Sequence, residues 1–211
     1  MASEQNTRPN IILIMADDLG FSDIGCYGSE IRTPNLDKLG ENGIRFTQMY
    51  NGARCCPARA SLLTGLHPHQ AGIGQMCMDL GEQGYQGYLR EDTATIAEVL
   101  KTVGYRTLMS GKWHVGGIYK ALDPESWVRD AGDERHPLPT QRGFDRYYGT
   151  LNGCGSFFDP VTLMEQETFI RADSPDYYTT DAFTDKAIEM VEESVGMNQP
   201  FFLYLPYTAP H

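Results

Sequence analysis

The run Asn10 to Ala16 (NIILIMA) is almost unbroken in its apolar character and stops abruptly at Asp17-Asp18. It is too short to cross a bilayer and lacks a polar-apolar alternation, so it predicts a strand buried on both faces of a parallel sheet. Such a strand needs helices above and below it, which commits the chain to an α/β architecture.

The segments that follow keep to that plan. Thr33-Pro34 offers an N-cap with proline at the first helical position, predicting a helix that runs to Gly43, and Ile44 to Tyr50 then reads as a strand. A second helix is expected over Pro57 to Thr64, closed by Gly65, and a third over Ala94 to Val103, between Thr93 and Gly104. Tyr105 to Met109 should be the next strand. A stretch rich in Gly and Pro, from about Gly111 to Pro175, reads as irregular; helical periodicity returns over Thr180 to Ser194, with Phe201 to Leu205 as a strand. At 211 residues the chain is long enough for one sizeable core, and no repeat, low-complexity tract or membrane-spanning run interrupts it.

The formal charge of −11 excludes a broad nucleic-acid or heparin-coating surface, because a long polyanion needs an extended basic face to displace its counterions. Any anionic ligand must be small and locally held, and no membrane partner is expected. The five cysteines, two of them adjacent at Cys55 and Cys56, do not resemble a disulfide framework and predict reduced thiols. Met1 to Arg8 is polar and lacks the apolar centre of a secretory signal. This predicts a cytoplasmic protein, or a periplasmic or secreted one whose leader has been removed.

In open α/β sheets, ligands collect beyond the carboxyl ends of the strands, and the polar residues of this chain fall there. Asp17 and Asp18 follow the first strand, Lys112 and His114 the Tyr105 strand, and His211 the last. Two adjacent carboxylates repel unless a cation or several donors compensate them. They suit Ca²⁺ or Mg²⁺, or else are loop acids capping the turn through Leu19-Gly20. Cys55 should sit just outside a helix N-terminus whose free N–H groups favour an anion, with Arg59 adding a fixed positive charge. A bare cysteine there would be a low-pKa thiolate, or simply a redox-active or buried thiol. Lys112 and His114, two apart on an extended segment, can point to one side and offer a cation beside a proton-transfer group, or form a solvated strand end. His67 and His69 flank Pro68 after a helix and read as pocket rim or possible substrate contacts. Asn152 to Ser156 and Tyr147-Tyr148 are candidates for shaping substrate recognition, and Cys26, Cys77 and Cys154 read as inert.

Cys55, Pro57 and Arg59, followed by Ala60 to Gly65 (ASLLTG), are similar to the signature of the type I sulfatases. Gly104 to His114 (GYRTLMSGKWH) resembles that family's second signature, and Asn10 to Gly20 (NIILIMADDLG) its opening strand. Tyr204 to His211 (YLPYTAPH) resembles the segment whose histidine contacts sulfate. Arg142-Gly143-Phe144-Asp145 resembles a recurring stretch read here as structural. Arg54, before the cysteine, departs from the small or apolar residue usual there.

The resemblance implies an alkaline phosphatase-like α/β fold, with a mixed, largely parallel central sheet sandwiched by helices. Residues 1–211 would form the first portion of a catalytic domain incomplete at its C-terminus, with no second domain. The family's later Asp-Asn metal ligands, a further Lys and a smaller C-terminal domain would lie in a remaining C-terminal part. It also implies that a maturation enzyme oxidises Cys55 to formylglycine, and that Asp17, Asp18 and the modified Cys55 hold Ca²⁺, or Mg²⁺. One hydroxyl of the hydrated aldehyde would attack the sulfur of a small sulfate ester, while Arg59 and Lys112 offset charge and His211 assists the departing alcohol. His114 would help the second hydroxyl expel sulfate. The resemblance thus implies hydrolysis of aryl or carbohydrate sulfates. Phosphonate monoester or phosphodiester hydrolysis, or a non-catalytic anion-binding module with unmodified Cys55, are the alternatives.

Overall fold

The computed structural model describes residues 8–119 and 123–211. Its centre is a six-stranded sheet, in which β1 (Ile11–Asp17), β2 (Arg106–Ser110), β3 (Arg146–Thr150), β4 (Leu163–Glu165), β5 (Thr168–Phe169) and β6 (Phe201–Pro210) lie in the order β1-β6-β2-β3-β4-β5. The first four in that order run parallel, and β4 and β5 are antiparallel. The expected mixed, largely parallel sheet is therefore present. The last strand in sequence, β6, lies between β1 and β2, so three strands from distant parts of the chain deliver their carboxyl ends side by side.

The helices are α1 (Pro34–Asn42), α2 (Cys55–Thr64), α3 (Ile96–Thr102), α4 (Pro124–Asp130) and α5 (Thr179–Gly196). Side chains of the central strands alternate between two cores. Phe202, Tyr204, Met109 and Tyr147 face the core that holds Ala60, Leu63 and Ala97 of α2 and α3. Phe201, Leu203, Leu205, Leu108 and Tyr148 face Phe183, Ala187 and Met190 of α5. Burial on both faces explains why β6 reads as continuous apolar sequence.

Four expectations need correcting. β1 is covered on one face only: Ile11, Leu13 and Met15 pack into the first core, but Ile12 and Ile14 remain 55% and 52% exposed, because α5 packs against β6, β2 and β3. Ile44 to Tyr50 is not a strand. It has no pairing strand among the described residues, and Ile44 and Tyr50 are largely exposed. α3 starts two residues later than expected because Thr95, not Thr93, forms the capping box, accepting from the Glu98 amide at 3.1 Å while Glu98 Oε2 accepts from the Thr95 amide at 2.7 Å. The stretch after Gly111 is not wholly irregular, since it carries α4 and β3 to β5. α2, α5 and β6 hold where expected, α2 starting two residues earlier, β6 running five residues further and α5 longer at both ends.

Two glycines set how closely the strands approach. Gly111 has φ +139°, and any Cβ there would overlap the Pro206 carbonyl; Gly149 has φ +157°, and a Cβ would overlap the Gly111 carbonyl. The contacts fix the start of the next segment, for the Lys112 amide donates to Pro206 O at 2.8 Å. Gly111→Ala should therefore destabilise the fold by about 1–3 kcal/mol through overpacking, read as a lower denaturation midpoint with an unchanged slope.

Candidate active site

At the carboxyl end of β1 and the start of α2 lies an open cavity of about 310 Å³, lined by Met15 to Gly20, Asn51, Ala53, Arg54, Cys55 and Ala58. Asp17, the last residue of β1, is buried, and the Lys112 ammonium donates to its Oδ2. Arg59 Nη2 lies 3.4 Å from the same oxygen. Both cations are fully buried, so one carboxylate oxygen offsets two charges that α2 and the β2 loop bring in from opposite directions. Arg59 is anchored by Nη1 donating to Lys112 O at 2.9 Å, while its Nε and Nη2 have no hydrogen-bond partner. Arg59 thus keeps hydrogen-bonding capacity behind the cavity wall, with Asp17 as its ion-pair partner.

Asp18 turns outward. Its φ is +61° and its side chain is 66% exposed, so the two adjacent carboxylates separate into one buried and one solvated group. His211 reaches back to both, with Nδ1 3.9 Å from Asp17 Oδ2 and Nε2 3.7 Å from Asp18 Oδ2. Its own amide donates to Asp17 O at 3.1 Å.

Cys55 is the first residue of α2 rather than lying outside it, and its thiol is half-buried. It faces Cys56 and His114, and the three ligand atoms lie within 4.8 Å of one another. The expectation of a low-pKa thiolate is overturned. The hydrogen bond to Cys56, followed by burial, pushes Cys55 up to about 11, outweighing the favourable contact with His114. His114 is itself held below the usual histidine value, first by burial, with Lys112 and Arg59 adding to the effect. It has φ +52°, and its ring lies against Gly153, where any side chain would overlap it. Lys112 reaches Asp17 and His114 reaches the cysteine pair, while Trp113 between them donates Nε1 to Pro137 O at 2.8 Å.

The raised Cys55 value has a direct chemical consequence. Alkylation of Cys55 by iodoacetamide should be slow near neutral pH, where only on the order of 1 in 10⁴ of its thiols is ionised, and should climb as pH approaches 11. Exposed Cys154 is the internal reference; equal labelling of the two at pH 7.5 would contradict the environment described.

The oxygen donors here suit a hard cation in kind. All recorded ion contacts of Asp17 fall on Oδ2, and Asp18 presents an exposed carboxylate to the same cavity. In number they fall short of the about six to eight oxygens that Ca²⁺ takes.

Other expected residues fall elsewhere. His69 pairs with Tyr85, Nε2 to Oη at 3.1 Å, and His67 lines a neighbouring cavity that shares only Asn51 with the first. Tyr147 and Tyr148 are core residues, not recognition residues. Arg142 is structural as expected, buried and donating to Glu98 and to the carbonyls of Leu89 and Thr93. The sequence reading missed Asn51 and Ala53 on the cavity wall, although the turn they form, with Asn51 Oδ1 accepting from the Ala53 amide at 2.7 Å, is marked by Asn51-Gly52.

An α/β sheet here gathers a cysteine at a helix start, buried cations, histidines and carboxylates at adjacent strand ends. The Sulfatase family model matches residues 9–211. An arylsulfatase of Klebsiella aerogenes is 36% identical over 220 residues, covering 98% of this chain and 44% of that protein. Human arylsulfatase A is 34% identical over 227 residues, covering 96% and 41%. The solved structure of BT4656 in complex with its substrate D-glucosamine-2-N,6-O-disulfate superposes with a TM-score of 0.72 at 31% identity, covering 97% of this chain and 35% of that one. The chain belongs to the sulfatase family. It spans less than half the length of these relatives.

Proposed function

We propose that this chain carries the nucleophile half of a sulfatase site, which hydrolyses aryl or carbohydrate sulfate esters once Cys55 has been converted to formylglycine. The observation that carries this reading is a pair of linked clusters, Arg59, Lys112 and His211 gathered on Asp17 and His114 gathered on Cys55, with Asp17 and Cys55 both lining one cavity. The orphaned donors of Arg59 and the Lys112 ammonium would hold the sulfuryl oxygens, where a water-poor environment strengthens each contact. His211, the most exposed of the set, would give its proton to the departing alcohol. His114, kept neutral by burial, would accept the proton of the hydroxyl at position 55.

A Ca²⁺ or Mg²⁺ ion would be held by Asp17, Asp18 and the oxygen at position 55, and would supply charge neutralisation at the sulfate. The missing oxygens would come from polypeptide beyond these residues. A small sulfate ester fits the open cavity better than a long sulfated glycan, which the acidic surface would repel.

The test is tryptic mass spectrometry of the peptide containing Cys55, from protein made in its native host, paired with turnover of aryl sulfate and aryl phosphonate esters. Thiol-to-aldehyde conversion with preference for the sulfate ester is expected. Preference for the phosphonate would reassign the substrate class. Cysteine intact throughout, with sulfate bound but not turned over, would leave an anion-binding module.

A further inference from the structure

The sulfurs around Cys55 have no role in the hydrolysis just described, yet they are arranged as ligands. We propose that, while Cys55 is a free thiol, the cluster of Cys55, Cys56 and His114 is a binding site for a soft d¹⁰ cation such as Zn²⁺ or Cu⁺. The three donor atoms lie within 4.8 Å of one another, and Cys56 Sγ is 3.2 Å from His114 Nε2. Around one ion with metal–sulfur and metal–nitrogen distances of about 2.3 and 2.0 Å, ligand atoms are separated by about 3.5–3.8 Å. The cluster therefore needs only small side-chain adjustments to close on a metal. Met76 Sδ, 3.8 Å from Cys56 Sγ, adds a thioether on the same side.

The donor chemistry selects against the hard ions proposed for the neighbouring carboxylates. Two thiols, an imidazole and a thioether favour soft cations, and Cys56 and His114 are buried where a strongly hydrated ion would lose its water without oxygen ligands to replace it. The ligand frame is already fixed. Cys77 Sγ donates to His114 O at 3.5 Å, and Gly153 leaves room for the ring in this one position. Each ligating thiol would release its proton to solvent as the metal binds, so affinity should rise with pH.

Conversion of Cys55 to an aldehyde would remove one of the two sulfurs, so the immature and mature forms would prefer different metals. Only that corollary rests on the formylglycine reading.

The test uses the full-length protein, made in a host without a formylglycine-generating enzyme and kept reduced. It is titrated with Cd²⁺ in excess Mg²⁺ while the ultraviolet thiolate-to-metal charge-transfer band is followed. One equivalent should saturate the band. Cys56→Ser and Cys55→Ser should each halve its intensity per metal and weaken binding by about 10-fold or more, while a Cys26→Ser, Cys154→Ser double variant should match the parent. Matching far-UV circular dichroism establishes that each variant is folded. A band untouched by Cys56→Ser, or lost in the double variant, overturns the site. If Cys55 proves never to be converted in the native host, the titration is unaffected, so failure of the sulfatase reading and failure of the metal site are told apart.

Discussion

Asp17→Asn should destabilise the protein by about 3–5 kcal/mol, whereas Asp18→Asn, one residue further on, should cost less than about 0.5 kcal/mol. The first substitution keeps the shape of the side chain but leaves Lys112 and Arg59, both fully buried, without the carboxylate that faces them. An uncompensated buried charge is costly because it has lost most of its hydration and no fixed opposite charge replaces it. The second alters a solvated group and keeps a residue type that tolerates positive φ. Urea denaturation of the two variants in chelator-treated buffer gives the comparison directly. Equal losses would mean that the pair acts as a unit and that Asp17 does not carry the ion cluster alone.

Cys55→Ser is the second large effect and addresses chemistry rather than folding. The hydroxyl would sit at the start of α2, half-buried beside His114, so the fold should change little. Turnover of an aryl sulfate should fall on the order of 10³-fold or more, because a single hydroxyl can accept the sulfuryl group but offers no second hydroxyl to expel it. A stoichiometric release of phenol followed by a stall, with a sulfuryl mass gain on the peptide spanning position 55, is the expected signature. Parent-like steady turnover would remove position 55 from the chemistry.

How far these features could be read in the sequence depends on how local their causes are. β1, β2, β6, α2 and α5 announce themselves through apolar runs, a proline at a helix start and glycines at helix ends. The site positions follow because strand ends carry the polar residues. What escaped is tertiary. Ile44 to Tyr50 carries residues common in strands, but a strand needs a neighbour to pair with. β3 to β5 are short, at five, three and two residues, and β3 carries a glycine at position 149. Cys55 was expected to be acidic from its place at a helix N-terminus. That local effect loses to Cys56 and to burial, which depends on how α2 packs under the Lys112–His114 loop.

The position of β6 between β1 and β2 also has a consequence in time. Ile11 pairs with Phe202, and Asn10 Oδ1 accepts from the Phe201 amide across 191 positions of chain. At a synthesis rate of roughly 5–20 residues per second, β1 waits on the order of 10–40 s for its partner to be made. During that interval the hydrophobic strand NIILIMA lacks the neighbour it pairs with, and Asp17 and His211 have not yet met. The nascent chain therefore passes through a long window in which its most apolar segment is a target for chaperones, and in which α2 has no completed site to close over it.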